Sequence, residues 1–199
     1  MISKEKNIMK KNLKKEKLCS SAFDLFISKG INNTAIDDIV KRAGVAKGTF
    51  YLYFKDKYDI INKIILQKSR QIFDEAMDAT KKSHIIEFDE MCIFFVEYVI
   101  NYFKDNKLML KLINKNFSWS LYKIAVSRLD EHDEVEETVT FFIEKLIERG
   151  MSGEEAEITL FLIVELVGSV SYNCIINNEP TDIDSIKPIL FKKILTMIA

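Results

Sequence analysis

Between Ala46 and Lys57 the chain reads Ala46-Lys47-Gly48-Thr49-Phe50-Tyr51-Leu52-Tyr53-Phe54-Lys55-Asp56-Lys57. These residue types suit a phosphate backbone with base edges behind it. Lys47 can reach a phosphate oxygen or a guanine edge, and Thr49 can hydrogen-bond a phosphate or lay its methyl group on thymine. Tyr51 and Tyr53 offer phenolic hydroxyls to phosphates. Gly48 has no Cβ, so the backbone can approach another polymer closely. Phe50 and Phe54 are spaced one helical turn apart and suit an inward-facing anchor. Lys57 follows Asp56 in the first turn of a helix, where the free N–H groups already favour an anion.

Such residues act together only if one short helix presents them. Ile36, Ile39, Val40 and Ala43 form the inner face of a helix at 34–43. Thr34 is expected to open it by capping a free N–H, with Asp37 near its positive end. Gly44 breaks this helix and Val45 starts another, running to about Tyr53. Two short helices across a tight turn make a helix-turn-helix, whose second member fits the major groove while the first braces it. A preceding helix at 12–28 has Leu18, Ala22, Leu25 and Phe26 on one face and ends at Lys29-Gly30. Asp56 caps a long helix through about Ala79, with Asp59 in its first turn. A plain helical bundle explains the helices. It does not explain why Lys47, Thr49, Tyr51, Tyr53 and Lys57 gather around one short segment, where a bundle wants apolar residues.

The overall charge of −1 conceals an asymmetry: residues 1–70 hold sixteen Lys and Arg against seven Asp and Glu, a balance of +9, so the remainder carries −10. A basic head on an acidic body suits a polyanion at one end only, although a merely solvated lysine-rich terminus is the alternative. The lysine-rich start, Met1 to Lys17, has no apolar stretch after it and does not read as a secretory signal, so a cytoplasmic location is expected. With two prolines and six glycines in 199 residues, and no alternating strand pattern, an all-α fold is expected.

The stretch Thr34-Ala35-Ile36-Asp37-Asp38-Ile39-Val40, continued by Ala43-Gly44-Val45-Ala46-Lys47-Gly48-Thr49-Phe50-Tyr51-Leu52-Tyr53-Phe54-Lys55-Asp56-Lys57, closely resembles the signature of TetR-family regulators over about residues 10–65. The resemblance implies DNA contacts at Thr34, Lys47, Gly48, Thr49, Tyr51, Tyr53 and Lys57. Ala46 departs from it, because members often carry serine there. It further implies a three-helix DNA-binding domain with a basic arm at 1–56 and a helical ligand-binding and dimerisation domain at 57–199, about nine or ten helices in all. The expected activity is allosteric: a dimer holds two half-sites of a near-palindromic operator, and a small apolar effector in the body loosens that grip, with repression the expected outcome. A non-specific nucleic-acid-binding module and an all-α metalloprotein or hydrolase are the competing readings.

The acidic half reads as helices at about 87–104, 106–115, 118–129, 132–149, 154–177 and 183–198, with Pro188 starting or kinking the last. Candidate ligand-binding residues are Phe94, Glu97, Tyr98, Trp119, Tyr122 and Glu165. Glu165 is the one charge in the apolar run 158–176, and a buried carboxylate requires a partner, whether a cationic ligand or an internal ion pair. That run is long enough to raise a membrane helix, but Glu165, Asn173 and the lack of flanking basic residues argue for a helix covered by a partner subunit. Gly168, Ser169, Tyr172, Ile186, Leu190 and Ile194 are the candidate dimer interface, in line with the family's habit of pairing its last two helices.

No enzyme motif stands out, and no cofactor or metal is expected. His84 and His132 neighbour no nucleophile, Lys81 and Leu129 stand where a di-iron bundle needs glutamate, and only His132 with Asp133 and Glu136 offers a weak metal alternative. Cys19, Cys92 and Cys174 lack metal-ligand spacing and read as reduced thiols, with a redox role left open.

Overall fold

The computed structural model describes residues 2–113 and 134–199, with side chains described at 11–113 and 138–199. The described residues form nine α-helices and divide into two compact units, residues 1–65 and 66–199. The division falls inside a helix rather than at its start, where the sequence reading puts the 56/57 boundary.

The first unit contains α1 (Ile2–Lys29), α2 (Ile36–Ala43), α3 (Lys47–Tyr51) and the beginning of α4 (Lys57–Lys82). Leu18, Ala22, Leu25 and Phe26 are buried along α1, as their spacing predicts. α1 packs on α2, where Ile39 and Val40 are buried, and Phe50 of α3, Phe54 and Ile60 are buried in the same unit. Exposed ion pairs trim the outside: Arg42 to Asp24 at 2.7 Å and Lys29 to Asp38 at 3.1 Å. Asp56 starts α4 as expected, its carboxylate accepting from the N–H groups of Tyr58 (2.8 Å) and Asp59 (2.9 Å).

One expectation about this unit fails. The N-cap of α2 is Ala35, and no side chain caps from that position. Thr34 is buried, and its hydroxyl turns back to donate to the carbonyls of Gly30 (2.8 Å) and Leu25 (3.4 Å). The reason lies in the preceding helix: α1 ends with carbonyls that lack helical partners, and Thr34 supplies a donor to them.

The turn between α2 and α3 depends on one residue. Gly44 sits at φ +67, its N–H directed at the carbonyls of Val40 and Lys41, and Val45 N–H reaches Val40 O at 3.0 Å. This closes α2 with a left-handed cap. A Cβ built on Gly44 meets no atom within 4 Å, so any substitution there is opposed by backbone strain alone. Gly44→Ala should therefore destabilise the first unit by about 1–2 kcal/mol, the left-handed penalty of an L-residue, as read by thermal unfolding. An unchanged melt would mean that the turn adopts another conformation.

The second unit contains the rest of α4, then α5 (Phe88–Asp105), α6 (Lys107–Ile113), α7 (Glu134–Glu148), α8 (Gly153–Tyr172) and α9 (Ile183–Met197). The expected helix at 118–129 and the His132, Asp133 and Glu136 alternative lie outside the described residues or side chains. The segment expected as one helix at 154–177 is α8 followed by a π-helical turn, Asn173–Asn177. Ser152 caps α8, accepting from Glu155 N–H at 3.2 Å. The last helix does not begin at Pro188. Asp182 caps it at Ile183, accepting from Ser185 N–H at 3.0 Å and from the Ser185 hydroxyl at 2.6 Å, and Pro188 lies inside. A cation on α9, Lys187, ties this helix to α5 by donating to Asn101 (3.0 Å) and Glu97 (3.4 Å), and Lys104 reaches Asp184 at 2.7 Å.

Candidate functional site

The first unit presents α3 outward. Phe50 is fully buried and holds the helix from beneath, packed against Tyr51 edge-on at 5.4 Å and against Phe54 at 5.5 Å. With Phe50 fixed, Lys47, Gly48 and Tyr51 fall on the exposed side, and Thr49 and Tyr53 are half-exposed. A Cβ on Gly48 would meet nothing within 4 Å, so the backbone there is open to a second molecule. Lys47 is not idle: its ammonium pairs with Asp37 of α2 at 2.8 Å, and the hydrogen bond from that carboxylate holds the lysine above its ordinary pKa. Leu52, with 76 % of its surface exposed, also stands on this side and was missed in the sequence. An apolar side chain carries no sequence signal of exposure.

Two of the candidate contacts have structural duties. Thr34 is buried, with its hydroxyl held by the carbonyls of Gly30 and Leu25. Lys57 donates to the carbonyls of Ile31 (3.0 Å), Asn32 (3.3 Å) and Thr34 (3.5 Å), so its ammonium fastens the loop between α1 and α2. Lys63 similarly reaches Tyr53 O at 3.4 Å and lies 5.2 Å over the Phe54 ring.

The second unit has a partly open cavity of about 100 Å³ between α4, α5, α7, α8 and α9, with the exposed Glu157 and Phe161 in its lining. Phe73, Phe95, Val99, Phe142, Leu146 and Val167 line much of it. Aromatic rings run through it in sequence: Phe73 to Phe95 at 5.3 Å and Phe95 to Phe142 at 5.1 Å. Thr138 and Glu157 bring the polar side chains to an otherwise apolar lining among the described residues. Cys92 also lines it, and burial, with the Asp89 carboxylate adding to it, pushes that thiol up to about 12. Burial raises the Cys19 and Cys174 thiols as well, so none of the three has the lowered pKa of a redox-reactive cysteine.

The candidate ligand-binding residues of α5 fall on a different face from the cavity lining. Phe94, Glu97 and Tyr98 are only half-buried and do not line the cavity, whereas Cys92, Phe95, Val96 and Val99 do. A one-residue slip on a helix turns the side chain by about 100°. Glu97 instead points outward to Lys187. Glu165 is half-buried and also absent from the lining, on the outward face of α8 with Ile158, Leu162 and Ser169. Trp119 and Tyr122 lie outside the described residues. Of the interface candidates, Leu190 and Ile194 are buried within their own subunit, and Ile194 lines the cavity, so neither can face a partner. Ser169 is exposed, while Gly168, Tyr172 and Ile186 are half-buried. The exposed large apolar side chains of α8 and α9 are Ile158, Phe161, Leu162 and Ile189.

Comparison with known proteins agrees with this division of labour. Residues 18–64 match the family model for bacterial regulatory proteins of the tetR family. An uncharacterised HTH-type transcriptional regulator of Bacillus subtilis, YhgD, is 25% identical over 185 residues, covering 89% of this chain and 92% of its own. Among solved structures, the fatty acid degradation regulator FadR of Bacillus halodurans superposes with a TM-score of 0.60 at 16% identity, covering 92% of this chain and 94% of that one. FadR of Bacillus subtilis, solved with stearoyl-CoA, gives 0.59 at 16% identity over 92% and 99%. At these identities the structural likeness carries the fold. Together with the outward-facing α3, the match over residues 18–64 shows a head similar to the helix-turn-helix of the tetR family, on a chain with the all-helical fold of those solved regulators.

Proposed function

We propose that the chain is a cytoplasmic repressor that binds a near-palindromic operator as a homodimer and is released from it by a small apolar effector. The observation that carries this reading is the presence of an exposed recognition helix in one unit and a largely apolar cavity in the other. Lys47, Gly48, Thr49, Tyr51 and Tyr53 would meet the major groove, with Lys57 near the phosphates. A dimer would set two such helices about 34–36 Å apart, one turn of DNA. A non-specific nucleic-acid module would need the basic head but neither the cavity nor the pairing of heads.

The outward faces of α8 and α9, with Ile158, Leu162, Ser169 and Ile189, are the surface we assign to the partner subunit. Leu162→Glu would place a charge at the centre of that face without touching the cavity lining. In sedimentation at micromolar concentration the parent chain should be a dimer and Leu162→Glu a monomer. Footprinting on the DNA upstream of its own gene should show two protected half-sites for the parent and none for the variant. A parent chain that is monomeric, or that protects all sequences alike, overturns the reading.

A further inference from the structure

An apolar side chain stands among the polar ones on the reading side of α3. Leu52 is the most exposed large apolar residue described in the first unit. It directly follows Tyr51 and keeps helical backbone angles, φ −73 and ψ −21, so it lies one turn beyond Gly48 on the same face. A helical side chain leans back over the turn before it. Here that turn is bare at Gly48, where even a Cβ would meet nothing within 4 Å. Gly48 and Leu52 together form an open strip with one apolar group at its end.

The surroundings of this strip decide what it meets. Lys47 is exposed on the same side, and residues 1–70 hold sixteen Lys and Arg against seven Asp and Glu, so the head attracts a polyanion. The major groove that would receive α3 presents hydrogen-bonding groups on its base edges and one apolar substituent, the C5 methyl of thymine. Under a leucine, donors and acceptors of the other bases lose water without gaining a partner, whereas the methyl gains by leaving water. Lys47, Thr49 and Tyr51 carry groups that phosphates satisfy as well as bases, so they position the helix without fixing this base.

We infer that Leu52 is a specificity-determining residue: its side chain packs on a thymine methyl in each half-site, and Gly48 lets the helix backbone come close enough for that contact. This deepens, and rests on, the operator-binding reading proposed above. It adds one operator position that is read by apolar contact alone.

The test uses the full chain and the half-sites that footprinting defines. Each thymine is replaced in turn by deoxyuridine, which removes the methyl and keeps every base-pairing and edge hydrogen bond. At one position the exchange should weaken binding about fourfold in one half-site and about 15-fold in both, the loss expected from uncovering one methyl group per half-site. At that position 5-methylcytosine should bind better than cytosine, since it restores the methyl. Leu52→Ala, at an exposed site, should melt like the parent, bind the operator more weakly and lose the discrimination between thymine and deoxyuridine. Leu52→Met, apolar and of similar size, should keep it. If no exchange to deoxyuridine changes affinity, if 5-methylcytosine and cytosine bind alike, or if Leu52→Ala keeps the full discrimination, the inference is overturned, while a defined footprint leaves the operator-binding reading standing. A chain that protects all sequences alike overturns both.

Discussion

Phe50→Ala should unfold the DNA-reading unit at physiological temperature and abolish operator binding. The ring is fully buried beneath α3 and touches both Tyr51 and Phe54, so its removal leaves a void under the helix whose outer face does the reading. Deleting a buried phenylalanine side chain costs about 3–5 kcal/mol, comparable with the whole stability of a small unit. Circular dichroism should show part of the helical signal melting early, and the operator titration should be flat. A variant that melts like the parent and binds the operator would mean that α3 is anchored by something other than this ring.

Tyr51→Ala should leave the melt within about 0.5 kcal/mol of the parent, because the side chain is more than half exposed, yet weaken operator binding about 10- to 100-fold. Stability and affinity thus separate at neighbouring positions, 50 and 51, according to which side of one short helix each residue occupies. Lys47 adds a refinement. Its ammonium is engaged with Asp37 before DNA arrives, so Lys47→Ala loses a contact that had first to be exchanged. Asp37→Asn should do the reverse: it frees the lysine, removes a carboxylate from the DNA-facing side and tightens binding on all sequences alike. Titrations at several salt concentrations check both, since loss of one phosphate contact lowers the salt slope by about one. Unchanged affinity in Tyr51→Ala and Lys47→Ala together would sink the assignment of α3 to the groove.

What was legible in the sequence follows from how local the deciding forces are. The head could be read because its core, its caps and its turn are set within a few residues: Leu18 through Phe26 bury one stripe, Gly44 supplies a left-handed cap, and Asp56 captures two N–H groups of its own helix. Thr34 was misassigned because two sets of unpaired backbone groups competed for its hydroxyl, and the carbonyls behind it won over the N–H groups ahead. In the body the deciding contacts are distant in sequence. Glu97 meets a cation ninety residues away, which no local pattern reveals. The lining of α5 was within reach, since Cys92, Phe95, Val96 and Val99 recur at helical spacing, but weight given to the conspicuous Glu97 between Val96 and Tyr98 shifted the reading by one position. Leu190 and Ile194 show the same limit from the other side: an apolar stripe says that a face is covered, not whether its own subunit or a partner covers it.

The early part of α1 has a consequence for handling the protein. From Lys11 to Lys17 every side chain is exposed, and burial begins abruptly at Leu18. A helical stretch without packing is only marginally stable in water. Lys11, Lys14, Lys15 and Lys17 are therefore open to a trypsin-like protease, while the peptide bonds beyond Leu18 are guarded by the core. A single clip there would shed several positive charges and leave the reading helix, the cap at Gly44 and the body untouched. Two preparations differing only by such a clip would look alike in a melt yet bind DNA with different salt dependence, so affinities from separate batches are comparable only when the mass of the intact chain has been matched.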